Sequence, residues 1–262
     1  MRPAPCTLDR MSPALELALV SCVLLGLRHG FDYDHLAAIT DITSIQRDWR
    51  DAMRLGLLYA LGHALTVAIL GSAVIFLHLG LPPHMDAIGE RLVGATLILL
   101  AVYVLVSFLR RKPGTPHHHV IPQSRIALLI TGARHLTWRL HRLRNPDAPK
   151  PDPFAFRYDR SSVFTVGIIH GLGAETPSQL LLFLLAANLG GTSRGFFGLL
   201  SFIAGLLIMN TLMTAAAAGI FVTSTHRPGL QTLITSLTAA YSFIIGAIFL
   251  LGAGDKLPPL LH

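Results

Sequence analysis

Long apolar runs separated by short polar stretches dominate the chain. Crossing a bilayer takes about 20 mostly apolar residues, and six runs qualify: 13–40, 53–79, 88–110, 161–187, 196–223 and 232–253. A seventh apolar piece, "IALLI" at 126–130, lies between Arg125 and Arg134 and is too short to cross, so the pattern predicts an interfacial helix there. It sits in a basic, Pro-rich segment from Arg110 to Arg160, where "RHLTWRLHRLR" spaces Leu and Trp among arginines in a manner suited to an anionic leaflet. The expected fold class is therefore an all-α integral membrane protein with six spanning helices. Its parts are an extracytoplasmic tail at 1–12, a three-helix half at 13–110, the basic loop at 111–160 and a second three-helix half at 161–262.

Composition agrees with this pattern. The chain of 262 residues is 52% hydrophobic and 13% charged, with a mean hydropathy of +0.57, far from the balance of soluble domains. A net charge of +7 in a soluble protein points to nucleic acid, but here the excess is concentrated in one loop and reads as topology. The segment between helices 3 and 4 carries eleven Lys and Arg, "QRDWRDAMR" three and "THRPG" one, against five on the other face. The positive-inside rule then makes the 110–160 loop cytoplasmic and puts both termini outside a cell membrane. Residues 13–27 resemble a signal-peptide core, but Glu16 interrupts the run and no small-residue cleavage site follows, so the segment is expected to be retained. Cys6 and Cys22 are too few and too far apart for a disulfide framework or a thiolate metal site.

One stretch breaks the apolar rule. "GLRHGFDYDH" at 26–35 packs Arg28, His29, Asp32, Asp34 and His35 into the first run. A central Asp or Arg costs about 2.5 to 3.5 kcal/mol on insertion scales, which makes such residues functional candidates by default. On a straight helix His29 would point about 140° from Asp34 and about 120° from His35, so the three could not serve one small site. Gly30 permits local unwinding, and the expected geometry is a helix broken at the bundle midplane. The same stretch aligns without a gap on "GIIHGLGAET" at 167–176, matching Gly26, His29, Gly30 and Asp34 to Gly167, His170, Gly171 and Glu175. The second helices match more weakly, near Gly62 and Gly205. Three helices is an odd number, so two such halves would insert with opposite topology, the inverted-repeat plan of many secondary transporters.

Imidazoles combined with carboxylates suit a borderline divalent metal such as Ni, Co, Zn or Cu, whereas hard cations ask for oxygen ligands alone. The candidate ligands are His29, Asp32, Asp34, His35 and His63, with His170, Glu175, Thr176 and Asn210 as secondary candidates. His63 and His170 serve equally well as interhelical hydrogen-bond donors, and Asn188, Gln179 and Asn210 as polar glue between helices. Gly56, Gly71 and Gly94 read as close-packing positions. His117, His118 and His119 form a short tract in the loop that suits either a metal relay or plain polar loop.

These residues carry a resemblance. "RHGFDYDHL" resembles the RHAxDADHI signature of the nickel/cobalt transporter family, within the wider LysE-type transporters; His29, Asp32, Asp34 and His35 match, while Gly30 and Tyr33 replace alanines. "LGHALTV" at 61–67 is similar to the family's LGHSTVV, giving His63 and placing Ala64 where the family has serine. "LGAETPSQ" at 172–179 is similar to LGxDTATE, with Glu175 for Asp and Gln179 for the final Glu, and "GLLIMN" to GMxxxD, with Asn210 for Asp. Members usually have eight helices with the His motif in the second; six with the motif in the first is the plan of the shorter relatives. The resemblance implies transport of Ni2+ or Co2+ as substrate, no tightly bound cofactor, no catalytic residue and a His motif that selects the metal.

The leading expectation is a secondary transporter of divalent metal, since no GxxxxGK[ST] motif supplies an ATPase. Uptake follows the family; the cytoplasmic His tract would also suit efflux. The other classes are an intramembrane metalloenzyme, which would need about eight clustered imidazoles, and an accessory membrane protein whose motifs no longer transport.

Overall fold

The computed structural model describes residues 13–77, 83–109, 138, 160–173, 191–258 and 260. Among them the chain is all helix: α1 (Pro13–Gly30), α2 (Tyr33–Ser44), α3 (Trp49–Leu77), α4 (Pro83–Leu109), α5 (Arg160–Gly173), α6 (Thr192–Ser224) and α7 (Pro228–Leu250), followed by a 3-10 turn at Gly254–Lys256. Five of these are long and apolar enough to cross a membrane, over Pro13–Gly30, Trp49–Leu77, Ala87–Val106, Thr192–Ser224 and Pro228–Leu250. Of the expected run 161–187, α5 covers only the first part, and 174–190 lies outside the described residues, as do the 110–137 and 139–159 parts of the basic loop.

Local signals set the helix ends. The Asp48 carboxylate accepts the Arg50 and Asp51 amides at 2.8 and 3.3 Å, capping α3. Pro228 opens α7, where its missing amide costs nothing. Beyond the other end of α7, Gly252 takes a left-handed φ of 67°, and its amide bonds the Phe249 carbonyl while that of Ala253 bonds the Ile248 carbonyl. Glu90 of α4 then accepts the Gly254 amide at 2.7 Å, and the Tyr33 hydroxyl donates to the Pro258 carbonyl at 2.8 Å, so the C-terminal segment folds back onto the bundle.

The first run is interrupted, as its polar residues predict, though it continues to Ser44 rather than ending at 40. Phe31 and Asp32 bond back three residues, to the Arg28 and His29 carbonyls, and Asp32 is extended at φ −71°, ψ 164°. Gly30 does not supply the freedom for the break, because only Gly191 and Gly252 have positive φ among the described glycines. It is small because a Cβ there would press on Met209 and the Leu206 carbonyl of α6. α2 is the central element, packed by α3, α4, α6 and α7, with Ala37, Ala38, Ile39 and Ile42 fully buried. The outer surfaces stay apolar: Leu17, Ile69, Leu212 and Leu237 are each 59–69% exposed, as lipid-facing positions should be.

Glycines govern how the long helices meet. A Cβ on Gly26 of α1 would overlap the Phe202 carbonyl and crowd Leu206 of α6, and one on Gly205 would overlap the Val23 carbonyl and crowd Leu27. In α5 and α3, Gly167 meets Tyr59 and His63 in the same way, and Gly62 meets Phe164 and Ile168. In both pairs each glycine touches the residues three before and one after its partner glycine, and both pairs run parallel. A turn further on, Gly30 faces Leu206 and Met209 as Gly171 faces His63 and Thr66. Gly94 of α4 and Gly246 of α7 meet antiparallel, each also against the residue four beyond the other, Leu250 and Ile98.

Candidate metal centre

The break in the first run is what brings the polar residues together. His29 ends α1, His35 lies in the first turn of α2, and His63 stands halfway along α3; they are 5%, 0% and 0% exposed. One ring nitrogen from each lies within 4.8 Å of the others. The His29 and His63 Nε2 atoms are 3.3 Å apart, and the His35 and His63 ring centroids 4.5 Å. Nitrogens bound tetrahedrally to one ion at about 2.0–2.1 Å stand roughly 3.4 Å apart, so the widest separation in the trio has to close by about 1 Å or somewhat more for all three to share an ion.

The carboxylates stand behind the imidazoles. His29 Nδ1 is 3.1 Å from Asp32 Oδ2, and His35 Nδ1 is 3.1 Å from Asp34 Oδ1. A carboxylate on Nδ1 holds the proton there, fixes the ring and leaves Nε2 with a free lone pair, the arrangement found behind metal-bound histidines. With His29 Nε2 as acceptor, the short contact requires His63 Nε2–H to donate, so His63 gives up this proton when both nitrogens turn to a metal. Among the described residues, His63 Nδ1 and His35 Nε2 have no hydrogen-bond partner, although both are buried. Unpaired buried nitrogens of this kind are costly unless they serve a ligand. Phe202 stacks on His29 with centroids 5.6 Å apart, and Tyr59 lies edge-on to His35 at 6.1 Å.

The other candidates are placed differently. Asp32 has its side chain 45% exposed, while Asp34 is buried. His170 is fully buried, but both its nitrogens are engaged: Nδ1 lies 2.9 Å from the Tyr59 hydroxyl and Nε2 lies 2.8 Å from Thr96 Oγ1. Thr96 spends its proton on the Val93 carbonyl at 2.8 Å. Hence Thr96 accepts from His170 Nε2–H, and Tyr59 donates to His170 Nδ1, leaving that ring no lone pair for an ion. Asn210 is fully buried, and among the described residues neither of its amide atoms has a hydrogen-bond partner. Glu175, Thr176, Gln179, Asn188, the tract His117–His119 and Cys6 lie outside the described residues. Cys22 is buried on α1 among Ala64, Val67 and Phe202, a packing position.

Three participants went unseen in the sequence. Tyr59 lies two residues before the LGHALTV match and Thr96 in an apolar helix with no motif around it, and only the fold sets them on His170. Asp41, in "AAITDITS", carried a signal, a lone carboxylate in an apolar helix, but it lies beyond the motif that drew attention.

Buried imidazoles with carboxylates behind them, inside an apolar helical bundle, form a donor set suited to a borderline divalent metal ion. Comparison with known proteins shows what the chain is similar to. The chain is 28% identical to nickel transporter NixA of Staphylococcus aureus over 254 residues, covering 89% of this chain and 72% of the relative. It is 26% identical to nickel transporter NicT of Mycobacterium tuberculosis, covering 87% and 64%. With cobalt transport protein NhlF of Rhodococcus rhodochrous the identity is 26%, covering 91% and 71%. The chain thus spans about two thirds of the length of these relatives. No protein-family profile and no solved structure matches it. Over most of its length the chain is thus similar to proteins named as nickel or cobalt transporters.

Proposed function

We propose that the protein is a secondary transporter that carries Ni2+ or Co2+ into the cell through a site formed by His29, His35 and His63. The observation that carries this reading is the trio itself: three buried imidazoles, two backed by carboxylates, with nitrogens within 4.8 Å. Such a nitrogen-rich set favours borderline divalent ions over Mg2+ or Ca2+. Asp34 and Asp32 orient the rings and lend negative charge, and Asn210, Glu175 and Thr176 are secondary contacts. The names of the relatives, nickel and cobalt transporters, support the choice of metal.

The transport step follows from architecture. Six spans form two inverted three-helix halves, with the metal at the midplane between them. The matched glycine contacts support this reading, since Gly26 with Gly205 and Gly167 with Gly62 use the same offsets, and Gly94 meets Gly246 reciprocally. The 111–160 loop is cytoplasmic and rests on anionic lipid, its His tract accepts the emerging ion, and both termini lie outside. Rocking of one half against the other exposes the trio to each face in turn. Protons compete for the same nitrogens, so metal affinity falls as pH falls.

Purified protein in liposomes tests this. Ni2+ and Co2+ should accumulate faster than Zn2+ or Mn2+, and His63→Ala should abolish the flux while the variant still elutes as folded protein. Wild-type liposomes no more permeable to metal than empty ones would sink the reading. Ion loss from preloaded vesicles with the inward orientation would reverse the direction to efflux.

A further inference from the structure

Asp41 lies apart from the histidine trio and has no assigned part in it. It stands on α2 seven residues after Asp34, about 20° short of two full turns, so both carboxylates share one face about 10 Å apart along the axis. Asp34 is paired with His35. Asp41 is fully buried, and its carboxylate meets the Ser242 hydroxyl of α7 but, among the described residues, no cationic partner.

Its surroundings supply no counter-charge. α3, α4, α6 and α7 pack around α2, and among the described residues no charged or titratable side chain from any of them acts on this carboxylate. The Ser242 hydroxyl of α7 lies beside the carboxylate and also reaches the Ala37 carbonyl at 3.4 Å. Two turns earlier on the same face of α7, the Thr235 hydroxyl is buried and, among the described residues, has no hydrogen-bond partner. Ser242 and Thr235 therefore make a polar row running from Asp41 toward the end of the bundle where α2 stops and α7 begins.

A buried carboxylate with a single hydroxyl beside it and no counter-ion is stable inside a bundle only with a cation on it. A single carboxylate beside hydroxyls lacks the nitrogen donors that a borderline divalent metal prefers, and the cation that needs no further ligand is the proton. Resting on the transport reading above, we propose that Asp41 is the proton-coupling site of this transporter. One carboxyl oxygen carries a proton while the metal site is empty; that proton passes along the Ser242 and Thr235 row to water at that end of the bundle as the metal site fills, and a proton from water at the opposite face replaces it after the metal is released. The O–H bond is broken and remade once per cycle, with water as proton acceptor and donor.

The test uses the full-length protein in liposomes loaded with a pH-sensitive dye. Addition of Ni2+ should change the internal pH in wild type. Asp41→Asn should reduce that change at least tenfold while Ni2+ affinity in detergent stays within threefold, and Asp41→Glu should restore coupling. Metal flux in wild type without any pH change would overturn the proposal, as would Asp41→Asn coupling like wild type. Wild type that moves no metal at all would instead overturn the transport reading on which it rests. Should Asp41→Asn fail to fold, infrared difference spectra of wild type and Asp41→Glu, metal-free minus Ni2+-loaded, decide the matter. A protonated-carboxyl band that shifts in the Glu variant supports the proposal, and absence of the band overturns it.

Discussion

His29 and His170 end the same turn of matching helices, yet they do opposite things. Each packs against the partner helix through glycines with the same offsets, Gly26 and Gly205 for one, Gly167 and Gly62 for the other. What differs is one side chain in the facing helix. Three residues before Gly205 stands Phe202, which stacks on His29 and offers no hydrogen bond; three before Gly62 stands Tyr59, whose hydroxyl takes His170 Nδ1. One residue after each glycine the halves diverge again, His63 in the first and Leu206 in the second. Backbone packing is thus repeated while the side-chain partners differ: Tyr59 and Thr96 take both nitrogens of His170, whereas His29 stacks on Phe202 and meets Asp32 and His63.

The comparison can be broken most forcefully at the glycines. Gly26→Val and Gly167→Val each drive a side chain into a backbone carbonyl, at a cost of about 3 kcal/mol or more. Both variants should lose most of their folded yield in detergent, and to a similar degree; a tolerant Gly167→Val beside an intolerant Gly26→Val would deny that the halves pack alike.

Next come the ligands. Loss of an outer partner of a metal ligand costs about 10–100-fold in affinity, so removing a ligand should cost more. His35→Ala and His63→Ala are expected to weaken Ni2+ binding by over roughly 100-fold in titration calorimetry, whereas His170→Ala should change it little. Equal losses at His63 and His170 would erase the asymmetry. Asp34→Asn follows, with a loss of about 10–100-fold and a fold unchanged by circular dichroism. The smallest effect belongs to Tyr59→Phe, which copies the Phe202 arrangement onto the second half. It removes one hydrogen bond, about 0.5–1.5 kcal/mol, and should lower thermal stability slightly and leave Ni2+ affinity within about threefold.

Much of this was legible in the sequence because membranes punish exceptions. Five polar groups in ten residues of an apolar run predict a break, and the straight-helix angles between His29, Asp34 and His35 require one if they are to converge. The reason assigned to Gly30 was not legible, since glycine serves backbone freedom and close approach equally, and only the contact with Met209 and the Leu206 carbonyl separates them. Nor could spacing assign Asp34 to the back of His35 rather than to an ion, because that depends on the extended turn at Asp32. The state of His170 depends on partners 111 and 74 residues away in sequence, a separation that no local pattern crosses. Asp41 was visible as a letter but not as a problem until its helix proved to be the centre of the bundle.

The central claim is that imidazoles of the first half hold the metal. X-ray absorption at the nickel edge, on purified protein loaded with one equivalent of Ni2+, tests it without depending on transport. The account predicts nitrogen ligands with the outer-shell scattering of imidazole rings, reduced in His63→Ala and unchanged in His170→Ala. An oxygen-only shell, or a spectrum that His63→Ala leaves untouched, would contradict it.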